Sequence, residues 1–232
     1  MTLPLADQVA LVTGAGRGVG RAIALTLARA GCRAAILSRT ERDLKDAVAE
    51  AAADPAAAPL LAVPADVTLD AALELAVRLV IERLGRITVL VNAAGFAPPR
   101  DTLLKTALAD WDRTLATSLR APMVLTRLVL PDMLAHGRGT IVSLASTTGK
   151  RGHAGEAAYA AASFGLLGFT ESLAEEVRDH GIKVTAILPA RALADQPRGE
   201  SLPSSRAAEA VLGVLLDPSP TCPTEILIDA AG

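Results

Sequence analysis

The chain has 232 residues, 51% hydrophobic but only 2% aromatic, and a formal net charge of −2 at pH 7. That length suits one α/β domain with a large core of Ala, Val and Leu, and the small net charge excludes a broad basic surface for nucleic acid or anionic membrane. No apolar run reaches membrane-spanning length, the N-terminus lacks a charged stretch followed by an apolar one, and Cys32 and Cys222 lie far apart; the sequence therefore predicts a cytoplasmic protein in a reducing compartment, without a disulfide.

Residues 9–12 form a short apolar run without alternation, as expected of a strand buried on both faces of a parallel sheet. Gly14, Gly16, Gly18 and Gly20 follow, and 21–30 reads as an Ala- and Leu-rich helix. A second strand covers 33–38 with Cys32 at its start, and Thr40 is placed to cap the next helix, which Pro55 and Pro59 end. A third strand covers 60–63. Asp66-Val67-Thr68 then opens a helix with Thr68 as its cap. A fourth strand, 87–91, is closed by Asn92-Ala-Ala-Gly95 and leads through a Pro-containing loop to a long helical stretch, 108–134, with Pro122 inside it. The remaining expectations are strands at 140–144, 183–188 and 225–228, and helices at 157–179 and 207–216. Alternating strands and helices predict a parallel sheet of about seven strands covered on both faces, with 1–232 as a single domain.

Strand, glycine turn and helix together make a phosphate site, because glycines let the backbone approach the ligand and the helix N-terminus offers free N–H groups and partial positive charge. The spacing Thr13-Gly14-x-x-x-Gly18-x-Gly20 resembles the cofactor loop of the short-chain dehydrogenase/reductase family, and the similarity runs nearly end to end. The resemblance implies a doubly wound Rossmann fold. In such a sheet the ligand lies outside the C-terminal ends of the strands, so the cofactor candidates are Thr13, Gly14, Gly16, Arg17, Gly18, Val19 and Gly20, with Ser38, Arg39, Asp66, Val67, Asn92, Ala93 and Gly95. Where the second strand ends, a carboxylate would accept bonds from a ribose 2′-hydroxyl; Ser38 and Arg39 instead offer donors and positive charge, and Arg17 adds a second cation. This looks like the NADP-preferring branch of the family, so NADP(H) is expected over NAD(H); the other reading of Arg39 is an ordinary solvated arginine. Asp66 and Val67 resemble the family's acid–apolar pair beside the adenine, although an acid there also favours a helix start. Asn92 to Gly95 resembles its Asn-Asn-Ala-Gly turn, with Ala93 in second place.

The resemblance also implies a phenol that exchanges a proton with the substrate oxygen, a hydroxyl that orients it, a lysine that lowers the phenol's pKa and holds the nicotinamide ribose, and an asparagine that keeps a water relay. Tyr159, the sole tyrosine, and Ser146 match the first two. Ser163 stands one helical turn after Tyr159, where the lysine is expected, and Ser118 stands where the asparagine is expected. Ala190 and Ala194 replace the usual Gly and Thr after the sixth strand. A close cation shifts a titratable group by roughly 1–3 units, so its loss costs on the order of 10- to 1000-fold in rate. Lys150 is a candidate substitute, with Arg151 and His153 close in sequence; the alternative is that all three are solvated loop residues.

His136, His153 and His180 lack ligand spacing, so no metal site is expected, and Gly149 to Gly155 contains no Gly-x-Ser-x-Gly elbow. Two functions remain: an NADP-dependent oxidoreductase acting on the carbonyl or secondary alcohol of a small molecule, or a weak or inactive family member that binds the dinucleotide as a sensor or structural partner of an active homologue. The loop 190–205 is expected to cover the substrate, and helices 108–134 and 157–179 to form a homodimer or homotetramer interface.

Overall fold

The computed structural model describes residues 3–189 and 204–228. The elements run β1 (Val9–Thr13), α1 (Gly18–Arg29), β2 (Arg33–Ser38), α2 (Glu41–Ala52), β3 (Leu60–Pro64), α3 (Asp70–Leu84) and β4 (Val89–Asn92). After β4 come α4 (Leu108–Leu115), a π-helical turn (Ala116–Arg120), α5 (Ala121–His136), β5 (Gly139–Leu144) and a 3₁₀ turn (Thr147–Gly149). The chain continues through α6 (Ala157–Val177), β6 (Ile182–Pro189), α7 (Ser204–Leu216) and β7 (Glu225–Ile228).

All seven strands are parallel, in the order β3-β2-β1-β4-β5-β6-β7. This is the doubly wound Rossmann arrangement, and the order reverses between β1 and β4. Strand residues alternate between two cores. Ala10, Val12, Ile36 and Val91 pack with Ile23 and Leu27 of α1, Leu44 of α2 and Val211 of α7. On the other face, Val9, Leu11, Leu37 and Leu90 pack with Leu73 and Val77 of α3, Leu125 and Met133 of α5, and Leu173 of α6. Burial on both faces explains why the central strands read as continuous apolar runs.

Several boundaries differ from the sequence expectation, each for a local reason. α1 begins at Gly18, ahead of 21–30, because Arg17 is extended (φ −157°) and the chain enters the helix directly from the glycine turn. Thr68 does not cap α3: its N–H and hydroxyl donate to Asp66 Oδ1 at 2.9 and 2.8 Å, and α3 starts at Asp70 with an acid in its first turn. Thr40 occupies the cap position of α2 but makes no side-chain cap bond. Cys32 lies just before β2, buried, and burial pushes its thiol up to about 12.

The largest difference is at 108–134, which is not one regular helix. Pro122 has no N–H for the Ser118 carbonyl and its ring would clash there; the wider π turn at Ala116–Arg120 absorbs this, so Pro122 falls in the first turn of α5. Pro131 lies inside α5. The long helix after β5 ends at Val177 and passes through a 3₁₀ turn to Gly181 (φ +69°). Ala190, Ala194 and most of the loop 190–205 lie outside the described residues. Among the described residues no helix is long and apolar enough to cross a membrane.

Candidate functional site

The turn after β1 is built around Thr13, whose hydroxyl accepts from the N–H groups of Ala93 and Ala94, both at 3.0 Å, and donates to the Val91 carbonyl at 3.5 Å. This side chain ties the end of β1 to the turn that closes β4. Gly14 has φ +65°, and a Cβ there would stand 2.8 Å from the Ala94 backbone, so only glycine lets the two turns approach this closely. A Cβ on Gly20 would lie 2.6 Å from the Gly14 carbonyl oxygen, so α1 starts against the turn itself.

A crevice of about 560 Å³ opens above these turns. Gly14, Arg17, Gly18, Val19, Gly20, Ser38, Arg39, Asp66, Val67, Ala93 and Gly95 line it, as the sequence pattern placed them. Thr13, Gly16 and Asn92 stand behind its wall: Gly16 packs on Ser38 and Asp43, and Asn92 is 1% exposed beside Ser143 of β5. Ala65, Ala94, Phe96 and Thr117 also line the crevice and were not picked out from the sequence. All four adjoin residues that were, and Thr117 lies in the π turn beside Ser118.

Electrostatically the crevice is mixed. Burial opposes ionisation of Asp66, but the two hydrogen bonds from Thr68 and the charges of Arg39 and Arg113 outweigh it and hold the carboxyl below its ordinary range. Arg113 in turn sits 4.0 Å from the centre of the Phe96 ring. Arg17 and Arg39 form no ion pair among the described residues. The Asn92 amide is buried with neither its nitrogen nor its oxygen hydrogen-bonded within the protein. Glycine backbone at a helix N-terminus, two uncommitted guanidinium groups and an unmatched amide fit an elongated ligand bearing phosphates.

Ser146, Tyr159 and Ser163 come together beyond the end of β5. Ser146 is buried at the start of the 3₁₀ turn, where its hydroxyl accepts from Thr148 N and donates to Thr148 Oγ1, both at 3.2 Å. Tyr159 stands half-buried in the first turn of α6. Burial pushes its phenol above the ordinary tyrosine value and the charge of Glu156 adds to this, while hydrogen bonding with Ser146 and Ser163 pulls the other way. Gly149 makes the grouping possible, since a Cβ there would be 3.0 Å from the Ser163 carbonyl.

Ser118 and Lys150 have different partners. Ser118 accepts from Phe96 N at 3.0 Å and donates to Phe96 O at 3.3 Å, latching the π turn to the loop that follows β4. The Lys150 ammonium is paired with Glu225 of β7 at 2.5 Å. Sequence reasoning passed over Thr148 and Glu156: Thr148 Oγ1 donates to Glu156 Oε2 at 3.5 Å, and Glu156 forms an ion pair with Arg100 at 2.5 Å. The available signal was the acid three residues before Tyr159, a spacing that brings side chains together at a helix start. No group of three or more His, Cys, Asp or Glu among the described residues could hold a metal ion.

Residues 8–198 match the family model described as short chain dehydrogenase. The chain belongs to the short-chain dehydrogenase family. Curated members of this family resembling it include a 3-oxoacyl-[acyl-carrier-protein] reductase of Synechocystis sp., 37% identical over 80% of this chain and 74% of that protein. The short-chain reductase protein NovJ of Streptomyces niveus is 35% identical over 79% of this chain and 68% of NovJ. Among solved short-chain dehydrogenase structures, a metagenomic short-chain oxidoreductase in complex with NADP superposes with a TM-score of 0.87 at 32% identity, covering 97% of both chains.

The Thr13 hydroxyl generates a direct expectation for this short-chain dehydrogenase. Thr13→Val keeps the shape but removes the acceptor of the part-buried N–H groups of Ala93 and Ala94, so it destabilises the fold by about 1–3 kcal/mol. Urea denaturation of parent and variant measures this; equal midpoints would show that the hydroxyl does not tie the two turns together.

Proposed function

We propose that this chain is an NADP-dependent oxidoreductase acting on the carbonyl or secondary alcohol of a small molecule, with one domain carrying both the cofactor crevice and the reacting residues. The observation that carries the reading is the crevice, with glycine backbone on one side and the uncommitted charges of Arg17 and Arg39 on the other. The similar metagenomic oxidoreductase is itself in complex with NADP, and the Synechocystis relative is named as a reductase of a 3-oxoacyl group, which support the cofactor and the carbonyl.

In this reading the turn after Thr13 and the start of α1 hold the diphosphate. Ser38, Arg17 and Arg39 hold the ribose 2′-phosphate, Asp66 and Val67 border the adenine, and the Asn92–Gly95 turn supports the remaining ribose. The bound nicotinamide supplies or accepts the hydride. Tyr159 exchanges a proton with the substrate oxygen, and Ser146 hydrogen-bonds that oxygen. A phenol raised by burial, with Ser163 and Ser118 at the positions of the family's lysine and asparagine, gives up its proton sluggishly; the reading is of a slow or specialised enzyme.

Calorimetric titration tests the cofactor: NADPH binds more tightly than NADH, and Arg39→Ala removes most of the difference. Equal affinities in the parent would reject the 2′-phosphate assignment. Assays on a panel of ketones and alcohols test turnover, with Ser163→Lys gaining on the order of 10- to 1000-fold. NADPH uptake without turnover in either protein would reject the catalytic half of the reading.

The helices α5 and α6 form an apolar groove lined by Met123, Leu130, Leu134, Phe169 and Leu173, with Met123 and Leu134 at 42% and 37% exposure, and α6 also exposes Phe164 at 48%. We infer that this face pairs with a second copy in a homodimer or homotetramer. A monomer mass in light scattering at micromolar concentration would contradict it.

A further inference from the structure

The chemical end of the site holds a charge of the opposite sign to the lysine that its family pattern leads one to expect. Glu156 lies one residue ahead of α6 with its side chain only 11% exposed, bridged to Arg100 of the loop after β4. Its Oε2 accepts from Thr148 Oγ1 at 3.5 Å, Thr148 Oγ1 accepts from the Ser146 hydroxyl at 3.2 Å, and Ser146 lies close enough to Tyr159 to pull its phenol back toward the ordinary value. The Ser146 and Thr148 hydroxyls therefore lead, oxygen to oxygen, from beside the phenol to a carboxylate.

We propose that Glu156, held by Arg100, is the positioning residue of this site and the outer end of a proton path running Tyr159–Ser146–Thr148–Glu156. The proposal rests on the reading of Tyr159 as the group that exchanges a proton with substrate. In the direction of alcohol oxidation, Tyr159 takes the proton of the substrate hydroxyl as its own passes to Ser146 Oγ. The Ser146 proton passes to Thr148 Oγ1, and the Thr148 proton to Glu156 Oε2. Each hydroxyl gains one proton and loses one, and the carboxyl releases its proton to solvent. Carbonyl reduction runs the same path inward, and no electrons move along it. A carboxylate at this point opposes formation of tyrosinate, so the path favours concerted passage of protons over a standing phenolate.

Other charged groups near this corner are Asp101 beside Arg100, and Lys150, Arg151 and His153 on the turn before α6; Lys150 is engaged by Glu225. Gly155 (φ +81°) brings the Arg100–Asp101 backbone against that turn, since a Cβ there would be 3.4 Å from Asp101 N.

Because Tyr159 is the sole tyrosine, ultraviolet absorbance at alkaline pH titrates this phenol alone, with no need of turnover. Trp111 fluorescence, recorded in parallel, follows the fold, and Tyr159→Phe confirms the assignment by abolishing the transition. Glu156→Gln keeps an acceptor for Thr148 and removes the charge, so the midpoint falls toward the ordinary tyrosine value. Arg100→Gln removes a cation bridged to the carboxylate, so the midpoint rises. Local loss of structure would instead send both variants to the ordinary value, and that outcome, or an unmoved midpoint in Glu156→Gln, overturns the proposal. Thr148→Val keeps the charge and breaks the path: the midpoint stays near the parent's while kcat falls by about 10²-fold. Unchanged kcat in that variant overturns the relay. If the parent turns over none of the ketones or alcohols, the oxidoreductase reading fails by itself, and the two midpoints still decide whether Glu156 governs the phenol.

Discussion

The short distance between two turns, the one that leaves β1 and the one that closes β4, governs the rest of the molecule. These strands are neighbours at the point where the sheet order reverses, and helices leave them toward opposite faces. A crevice exists there only because the two turns meet without side chains between them: Gly14 has no Cβ to strike Ala94, and the Thr13 hydroxyl satisfies both amides of the second turn. Two part-buried N–H groups are matched by one oxygen, which ties the floor of the crevice to the end of β1. Everything that lines the crevice is positioned from this junction outward, including the start of α1 and the ends of β2 and β3.

The two halves of the site are held differently. The half near β1–β3 is defined mainly by backbone, whose course is dictated by where glycine stands, and by two arginines that form no ion pair among the described residues. The half beyond β5 is defined by side-chain hydroxyls. Ser146, Thr148 and Ser163 are small, close-packed and mutually bonded or near Tyr159, and their arrangement depends on Gly149 letting the 3₁₀ turn rest on α6. A lysine would bring a long stem and a mobile charge to this corner; the structure has compact neutral groups and a carboxylate behind them. Burial in this corner raises the phenol further above the ordinary tyrosine value.

Much of this was legible in the sequence because it rests on short-range rules. Unalternating apolar runs mark the central strands buried on both faces, and glycines between strand and helix mark where the crevice lies; most of the residues lining it stand at those strand ends, while Thr117 does not. Other partnerships escape local pattern, for different reasons. Thr68 reads as a cap because Thr often is one, but a neighbouring carboxylate competes for its hydroxyl and N–H and moves the helix start to Asp70. Lys150 reads as a spare cation because its partner, Glu225, is contributed by the last strand, 75 residues away. The bridge from Thr148 to Glu156 and Arg100 likewise joins three segments, and no periodicity announces it. Pairings across long separations are set by the sheet order, which local pattern does not contain.

The π turn between α4 and α5 reaches further than its five residues. An α-helix advances about 100° per residue, and the wider turn accommodates one residue more than a regular turn holds, so the stripes of α4 and α5 are out of phase with a continuous spiral. Each half thereby aims its apolar stripe independently, α5 at the strands and α3, α4 at α6. The same offset carries Thr117 to the crevice and Ser118 to the Phe96 backbone, two neighbours committed to different errands. Chain length in this segment is therefore as constrained as residue identity: shortening it by one residue would close the wide turn to a regular one and drive the Pro122 ring back against the carbonyl one turn earlier, leaving the composition untouched.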